Sequence, residues 1–254
     1  MSNDDRAAFE AEKQHYIQEL SQDKSLFDFA VQLLLESDKY HYSYLWSWMG
    51  VPIIQRPADI IALQEVIWES RPDIIIETGV ARGGSLVFFA SMLALLGKNN
   101  GKVIGVDIEV RAHNKRAIME HAMASCIELV EGSSIAEETI AQVQSRVPVN
   151  ASVMVVLDSN HSHDHVFAEL ERYARLVTPR QFLVVADTIL GFIPSEQTPT
   201  YYSQVLAPGN EPLSALKLFL LGNDLFEQHP INGKLIMSSS PSGYLRRLDK
   251  ASEQ

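Results

Sequence analysis

The sequence predicts an α/β fold, in which a mostly parallel seven-stranded sheet carries helices on both faces and follows an N-terminal helical extension. From residue 73 onwards, short apolar runs rich in β-branched residues alternate with longer segments whose apolar residues recur at helical spacing. Several short runs are apolar throughout, as in parallel strands covered on both faces. We therefore expect a helical extension at residues 1–70 and a sheet domain at residues 71–254.

The extension divides into helical and aromatic parts. Residues 6–37 are predicted to be helical, because apolar residues such as Phe27, Val31 and Leu34 fall on one helical face. An aromatic-rich segment at 40–50 follows; it can line a pocket, form a subunit contact in a homo-oligomer, or dock on the core through its large rings. Two prolines then predict an extended connector, and residues 64–69 lie in a further helix that ends near Pro72.

In the sheet domain, each segment is assigned by its apolar period and its flanking glycines and prolines. Strands are predicted at residues 73–78, 102–107, 127–131, 152–158, 181–187, 225–229 and 243–248. Helices are predicted at residues 85–96, 114–124, 135–146, 163–177 and 213–223. Residues 189–212 contain four prolines and two glycines, which predicts a lid or loop.

Composition limits the classes of partner. The net charge of −11 argues against binding to nucleic acid or to an anionic membrane surface. The longest apolar stretch, residues 86–96, is too short to span a bilayer, and the acidic N-terminus is unlike a secretory signal. The single cysteine, Cys126, excludes an internal disulfide framework and a cysteine-rich metal site. We expect a cytoplasmic protein that acts on a small molecule.

The segment at residues 73–85, D-I-I-I-E-T-G-V-A-R-G-G-S, indicates a ligand site. A strand ends in Glu77 and turns through Gly79, Gly83 and Gly84 into a helix that begins near Ser85, whose N–H groups can bind a ligand. The dinucleotide fingerprint needs closer glycines, and a P-loop needs a Lys-Ser/Thr pair. The remaining pattern resembles the S-adenosylmethionine loop of class I methyltransferases, in which Glu77 would receive the cationic amino end of the cofactor. A βα turn without a ligand is the alternative.

Four carboxylates end predicted strands, namely Glu77, Asp107, Asp158 and Asp187. The carboxyl ends of parallel strands meet at one edge of a sheet, where ligands of doubly wound folds bind. So many acids at one edge indicate a bound cation, a hydroxylated ligand, or both. Asp107 is placed to accept hydrogen bonds from ribose hydroxyls. The small side chains of Ser133 and Ser134, after the third strand, would leave room for the adenine.

Asp158 and Asp187, with the hydroxyl of Thr188, form a candidate metal site made of oxygen ligands, which suits Mg²⁺ or a similar divalent ion. Such an ion would bind an acceptor hydroxyl and lower its pKa. His161 follows Asp158 by three residues and is the candidate general base. A metal held by the histidine run is disfavoured, because alternate side chains at a helix start diverge. Which of His161, His163 and His165 is the base stays open.

At these residues the chain resembles the cephalosporin hydroxylase/rhamnosyl O-methyltransferase family, whose members have a Rossmann-like class I methyltransferase fold. The resemblance covers about residues 45–248. The matching stretches are G-V-P-I-I-Q at 50–55, the glycine loop, V-D-I-E-V-R at 106–111, E-G-S-S at 131–134, L-D-S-N-H-S-H-D-H-V at 157–166, V-V-A-D-T at 184–188 and S-G-Y-L-R-R at 242–247.

The resemblance implies a function for the carboxyl edge of the sheet. S-adenosylmethionine would bind residues 77–85, Asp107, the Ser133 region and the neighbourhood of Asp158. A divalent metal would lie near Asp158 and Asp187, although Ala186 stands where many relatives have an acid.

We therefore expect a metal-assisted O-methyltransferase that uses S-adenosylmethionine and acts on a hydroxyl of a small molecule, a sugar or a natural-product intermediate. The rival hypothesis is a non-catalytic accessory protein that binds S-adenosylmethionine and works with a partner enzyme. A metal-dependent hydrolase that uses the Asp/His cluster would leave the glycine loop without a role.

Overall fold

The computed structural model describes residues 5–194 and 209–249. Its helices are α1 Arg6–Gln22, α2 Lys24–Asp38, α3 Pro57–Ser70, α4 Gly84–Leu95, α5 Ala112–Met119, α6 Glu137–Arg146, α7 His163–Tyr173 and α8 Pro212–Leu221. Its strands are β1 Trp46–Trp48, β2 Val51–Ile53, β3 Ile74–Thr78, β4 Lys102–Asp107, β5 Ile127–Glu131, β6 Val153–Leu157, β7 Phe182–Val185, β8 Phe226–Gln228 and β9 Tyr244–Arg247. Within these ranges, none of the helices is both long and apolar enough to cross a bilayer.

Seven strands form one sheet in the order β5-β4-β3-β6-β7-β9-β8. Strands β3 to β7 pair in parallel, and β9 runs antiparallel between β7 and β8. The central position of β3, between β4 and β6, places the carboxyl ends of these three strands side by side. The predicted α/β fold with a mostly parallel seven-stranded sheet is confirmed.

The sheet is covered on both faces, as the apolar strands predict. On one face, Ile75 of β3 belongs to a buried cluster with residues of α3 and α4, such as Val66 and Leu86. On the other face, Ile74 and Ile76 belong to a second cluster with residues of α6, α7 and α8. The alternation follows from the two-residue side-chain period of a strand, and it explains why β3 has no polar residue before Glu77.

The N-terminal region differs from its prediction in the number of its helices and in a hairpin that was not predicted. Two helices replace the single helical stretch, and they meet at Asp23, whose side chain accepts a hydrogen bond from the backbone N–H of Leu26 and caps α2. The expected aromatic segment and extended connector form an antiparallel hairpin, β1–β2. Its turn is Met49-Gly50, and both residues have positive φ, which suits a tight two-residue hairpin turn.

The hairpin docks on the sheet domain through Trp48. The Trp48 ring packs edge-on against Phe88 of α4 at 4.9 Å between ring centroids, and its Nε1–H donates to Ser91 Oγ at 3.0 Å. Helix α3 contains the predicted helical residues 64–69 and begins at Pro57, where proline is preorganised for the first turn of a helix. Helix α3 shares a buried cluster with β3 and α4. The predicted boundary between the helical extension and the sheet domain, at residue 70, therefore lies between elements of one core.

Candidate active site

The turn from β3 into α4 is held by contacts with distant parts of the chain. Gly79 and Gly83 have φ of 90° and 88°, which favours glycine. A Cβ atom at Gly79 would overlap the backbone of Asp158, and one at Gly84 would overlap the backbone of Pro52. Close packing against the residue after β6 and against the hairpin is therefore a separate reason for these glycines, and their contact with a ligand stays a prediction.

Glu77 lies buried at the end of β3 and accepts a hydrogen bond from Ser85 Oγ at 2.7 Å. Burial, with a smaller contribution from the negative charge of Asp107, raises the pKa of Glu77 to about 8. A cationic group beside this carboxylate would favour its ionised form. The geometry is therefore compatible with the predicted role of Glu77 toward a cationic ligand.

Asp107 supports the glycine loop. Its Oδ2 accepts hydrogen bonds from the backbone N–H groups of Val80 at 2.9 Å and Ala81 at 3.3 Å, and its Oδ1 accepts from Glu109 at 3.1 Å. Asp107 is the residue predicted to accept hydrogen bonds from ribose hydroxyls. The structure adds that the same carboxylate ties the end of β4 to the loop after β3.

The loops after β5 and β6 are joined through His165. Its Nε2 lies 3.0 Å from the Oγ of Ser134 and 3.3 Å from that of Ser159, which also donates to the buried Glu169 at 2.7 Å. His165 thus belongs to a polar network beneath the predicted adenine site. Ser133 lies in the same loop as Ser134 and is half-buried.

The structure brings Asp158, His161 and Asp187 together. One ligand atom from each lies within 4.8 Å of the others, and His161 Nε2 lies 3.3 Å from Asp187 Oδ2. Burial raises the pKa of Asp158 well above its usual range, and the negative charges of Asp187 and Glu77 raise it further. Within residues 5–194 and 209–249, this is the group of three acidic or imidazole side chains close enough to share an ion.

The hydroxyl of the third predicted metal ligand makes a hydrogen bond within the protein. Thr188 is fully buried, and its Oγ1 accepts a hydrogen bond from the backbone N–H of Ser242 at 3.3 Å. Thr188 does not line the cavity, although its neighbours Ala186 and Asp187 do. The Thr188 assignment stays a prediction, and the methyl group of Ala186 offers no ligand.

The structure distinguishes the three histidines. His163 Nδ1 lies 2.7 Å from Ser214 Oγ, which directs this ring to the start of α8. His165 joins the loops after β5 and β6, as described above. Only His161 of the three lines the cavity, beside both aspartates.

Three residues near this site were missed by sequence reasoning, namely Gln55, Arg56 and Asp59. Gln55 Nε2 donates to Asp158 Oδ2 at 3.0 Å. Asp59, in the first turn of α3, is buried and accepts hydrogen bonds from the hydroxyl of Ser238 and the backbone N–H of Ser239. A proline-initiated helix with an acid in its first turn was the available signal in R-P-A-D, but the prediction located this helix only through residues 64–69.

Arg56 connects the N-terminal extension to the C-terminal part of the sheet. Its Nη1 donates to Ser239 Oγ, and its Nη2 lies 3.9 Å from Asp38 Oδ1. Both side chains of this ion pair are largely buried, so the pair is shielded from solvent. The contact fixes the end of α2 beside the loop that carries Ser239 and Ser240.

Some of these residues line a cavity of about 360 Å³. Its walls come from α2, the hairpin and its connector, the glycine loop, the loops after β6 and β7, and Ser239–Ser240. Gly79, Gly83, Gly84, Ser85, Asp158, His161 and Asp187 are the predicted site residues that line it. Glu77, Asp107, Ser133, Ser134 and Thr188 do not line it.

The sequence matches the profile of the family described as Rhamnosyl O-methyltransferase/CmcI over residues 40–248. The chain belongs to this family. Its members are S-adenosylmethionine-dependent methyltransferases, and the chain is an O-methyltransferase of this group. The predicted family is thereby confirmed.

Individual members of the family agree with this assignment. A rhamnosyl O-methyltransferase of Mycobacterium bovis (strain BCG / Pasteur 1173P2) is 29% identical over 218 residues, which cover 84% of each chain. One from Mycobacterium leprae is 31% identical over 162 residues, which cover 61% of this chain and 67% of the relative.

Solved structures show the same fold. A Mg–SAM structure of CmcI superposes with a TM-score of 0.55 at 19% identity, covering 81% of this chain and 77% of the other. An O-methyltransferase from Bacillus cereus in complex with SAH gives a TM-score of 0.54 at 15% identity, covering 92% and 96%. The sheet and its flanking helices therefore form a class I methyltransferase fold, as expected.

Proposed function

We propose that this enzyme transfers a methyl group from S-adenosylmethionine to a hydroxyl of a small molecule, a sugar or a natural-product intermediate, with the help of a divalent cation such as Mg²⁺. The observation that carries the proposal is the position of Asp158, His161 and Asp187 in the cavity that the glycine loop also lines. Neighbouring loops can therefore hold the methyl donor and the acceptor in one space, which is a large part of the catalysis of a two-substrate reaction.

The cofactor would occupy the side of the cavity formed by residues 79–85. Glu77 lies beneath this loop, and burial has raised its pKa, so a cationic amino group nearby would stabilise its ionised form. Asp107 holds the loop in place, and in the proposal it also accepts hydrogen bonds from the ribose. Ser133 and Ser134 would border the adenine.

The donor atoms of the Asp158 cluster suit a divalent cation. Two carboxylates and one imidazole lie within 4.8 Å of one another, and mutual repulsion contributes to the raised pKa of Asp158. Asp158 and Asp187 would be the ligands, with Thr188 as the predicted third. When bound, the cation would supply the positive charge that lowers the pKa of the acceptor hydroxyl, and the cofactor would supply the methyl group.

His161 would take the proton of the acceptor hydroxyl. His161 Nε2 lies 3.3 Å from Asp187 Oδ2, so in this proposal Nε2 carries the hydrogen that faces the carboxylate and Nδ1 accepts the proton. The negative charge of Asp187 would then stabilise the imidazolium that forms. Gln55 donates to Asp158 and would keep this carboxylate in one orientation.

Calorimetric titration of the purified protein with S-adenosylmethionine, and separately with NAD⁺, tests the first step of this proposal. We expect binding of S-adenosylmethionine alone, and binding of NAD⁺ alone would overturn the proposal. A screen of hydroxylated acceptors with isotopically labelled cofactor, in Mg²⁺ or in EDTA, tests the second step. Methyl transfer that is equally fast in EDTA would remove the metal from the mechanism.

A further inference from the structure

Helix α2 presents an apolar face to the start of the segment after β7. Phe27, Val31, Leu34 and Leu35 recur at helical spacing on this face. They pack against Ile189, Leu190 and Ile193 and form a buried cluster apart from the two clusters on the sheet. The rings of Phe27 and Phe192 meet edge-on at 5.0 Å, which fixes the two segments to each other.

The same apolar face is a wall of the active-site cavity. Together with the apolar side chains after β7 it forms what we call the α2 wall. Six side chains of this wall line the cavity: Val31, Leu34 and Leu35 from α2, and Ile189, Leu190 and Ile193 from the segment after β7. Ile189 of the wall lies only two residues after Asp187, in the 3₁₀ helix Thr188–Phe192. Apolar side chains are therefore placed close to the proposed metal ligands.

Such a wall has no role toward a metal ion or toward the charged end of the cofactor. Its side chains have no hydrogen-bonding groups, and none of the proposed cofactor residues, which lie in β3, in the loop after it and at the ends of β4 and β5, belongs to the wall. An apolar surface inside a ligand cavity contributes to binding by removing apolar ligand surface from water. Leu35 and Ile193 are only partly buried, so part of their surface is open to an incoming group.

We infer that the α2 wall is the subsite for an apolar part of the acceptor, so the acceptor is a hydroxyl compound that carries an alkyl or aromatic group close to the methylated oxygen. This inference rests on the proposed function, because it places the acceptor hydroxyl at Asp158 and Asp187. It assigns the N-terminal extension to substrate selection. Leu35 and Ile193 are the specificity-determining residues.

A matched pair of ligands tests the subsite without the natural acceptor. Hexyl and methyl β-D-glucopyranoside share one sugar and differ only in the alkyl group. Calorimetric titration of the full chain is carried out with Mg²⁺, in the presence and absence of S-adenosylhomocysteine. We expect the hexyl glycoside to bind at least tenfold more tightly than the methyl glycoside. Equal affinities, or failure of both glycosides to bind, would overturn the inference.

Substitutions in the wall, with a control on α2, distinguish binding at the wall from nonspecific binding of apolar groups. Leu35→Asn and Ile193→Asn are expected to reduce the preference for the hexyl glycoside at least fivefold. Leu33→Asn is the control, because Leu33 lies on the same helix, is 44% exposed and does not line the cavity. Equal loss in the Leu33 and Leu35 variants would overturn the inference. If Leu35→Asn does not fold, Leu35→Ala should give a smaller loss in the same direction.

The failure of this inference is distinguishable from failure of the proposed function. Titration with S-adenosylmethionine alone reports on the glycine loop and does not depend on the α2 wall. Cofactor binding without discrimination between the glycosides would reject the subsite and leave the methyltransferase assignment in place. Discrimination without cofactor binding would instead reject the proposed use of the loop after β3.

Discussion

The cavity has two sides that are built in different ways. The cofactor side of the cavity is one continuous segment, residues 79–85, in which the turn after β3 leads directly into the start of α4. The acceptor side is assembled from α2, the connector after the hairpin, the loops after β6 and β7, and Ser239–Ser240. The difference suggests that changes on the acceptor side act mainly on turnover, while changes on the cofactor side act on cofactor affinity and on the fold.

The largest effect is expected for Asp158→Ala on the acceptor side. Loss of this carboxylate removes a proposed metal ligand, so metal-dependent turnover should fall below detection while the affinity for S-adenosylmethionine changes little. Asp164→Ala is the control, since Asp164 is an exposed acid in the first turn of α7. Methyl-transfer assays and calorimetry measure the two quantities. Retained turnover with unchanged metal dependence would rule out Asp158 as a ligand.

His161→Ala should reduce kcat by roughly 10²–10⁴, because it removes the proposed general base that lies beside Asp187. The affinity for S-adenosylmethionine should again change little. The exposed His113 of α5 provides the matched control, His113→Ala. The pH–rate profile decides the role, and a profile identical to that of the wild type would exclude His161 as the base.

Glu77 offers a test of the cofactor side through pH. Burial raises the pKa of Glu77 from 4.5 to about 8, so between these pH values the folded state holds a proton that the unfolded state has lost. The free energy of unfolding should therefore fall as pH rises from 4.5 to 8. If the ionised carboxylate receives the amino group of the cofactor, affinity should rise by up to about tenfold per pH unit below pH 8. Glu77→Gln should remove both slopes, and calorimetry across pH measures the second.

Gly84→Ala should have the smallest effect, on the fold of the cofactor side. The added methyl group would overlap the backbone of Pro52 and Ile53 and displace the hairpin, at a cost of about 1–3 kcal/mol in the free energy of unfolding. Gly222→Ala is the control, because its nearest neighbour is an ordinary contact with Phe219 at 3.9 Å. Urea denaturation compares them, and equal stabilities would show that the hairpin can move without cost.

The sequence was informative where one local rule decided the structure. The runs of apolar residues predicted the central strands, and the convergence of parallel strand ends predicted that Asp158 and Asp187 lie together. Glu77 and its glycine loop followed from a continuous strand–turn–helix pattern. Each of these inferences needs only residues that are close in sequence, together with one general property of α/β sheets.

The remaining parts of the site depend on contacts that no local pattern encodes. Gln55 and Asp158 are 103 residues apart, and Arg56 and Ser239 are 183 residues apart. The hairpin was missed because Met49 adopts the left-handed turn conformation, which few sequence signals predict for methionine. The apolar face of α2 was visible in the sequence, but its position in the cavity depends on packing against Ile189 and Leu190.

The separation of the α2 wall from the two sheet cores has an evolutionary consequence. Leu35 and Ile193 belong to neither cluster on the sheet. Substitutions at these two residues should therefore have little effect on the packing of the sheet. Acceptor range can then diverge through the N-terminal helix while the methyl-transfer residues stay constant. For laboratory evolution, a library confined to this wall would explore new acceptors with few non-folding members.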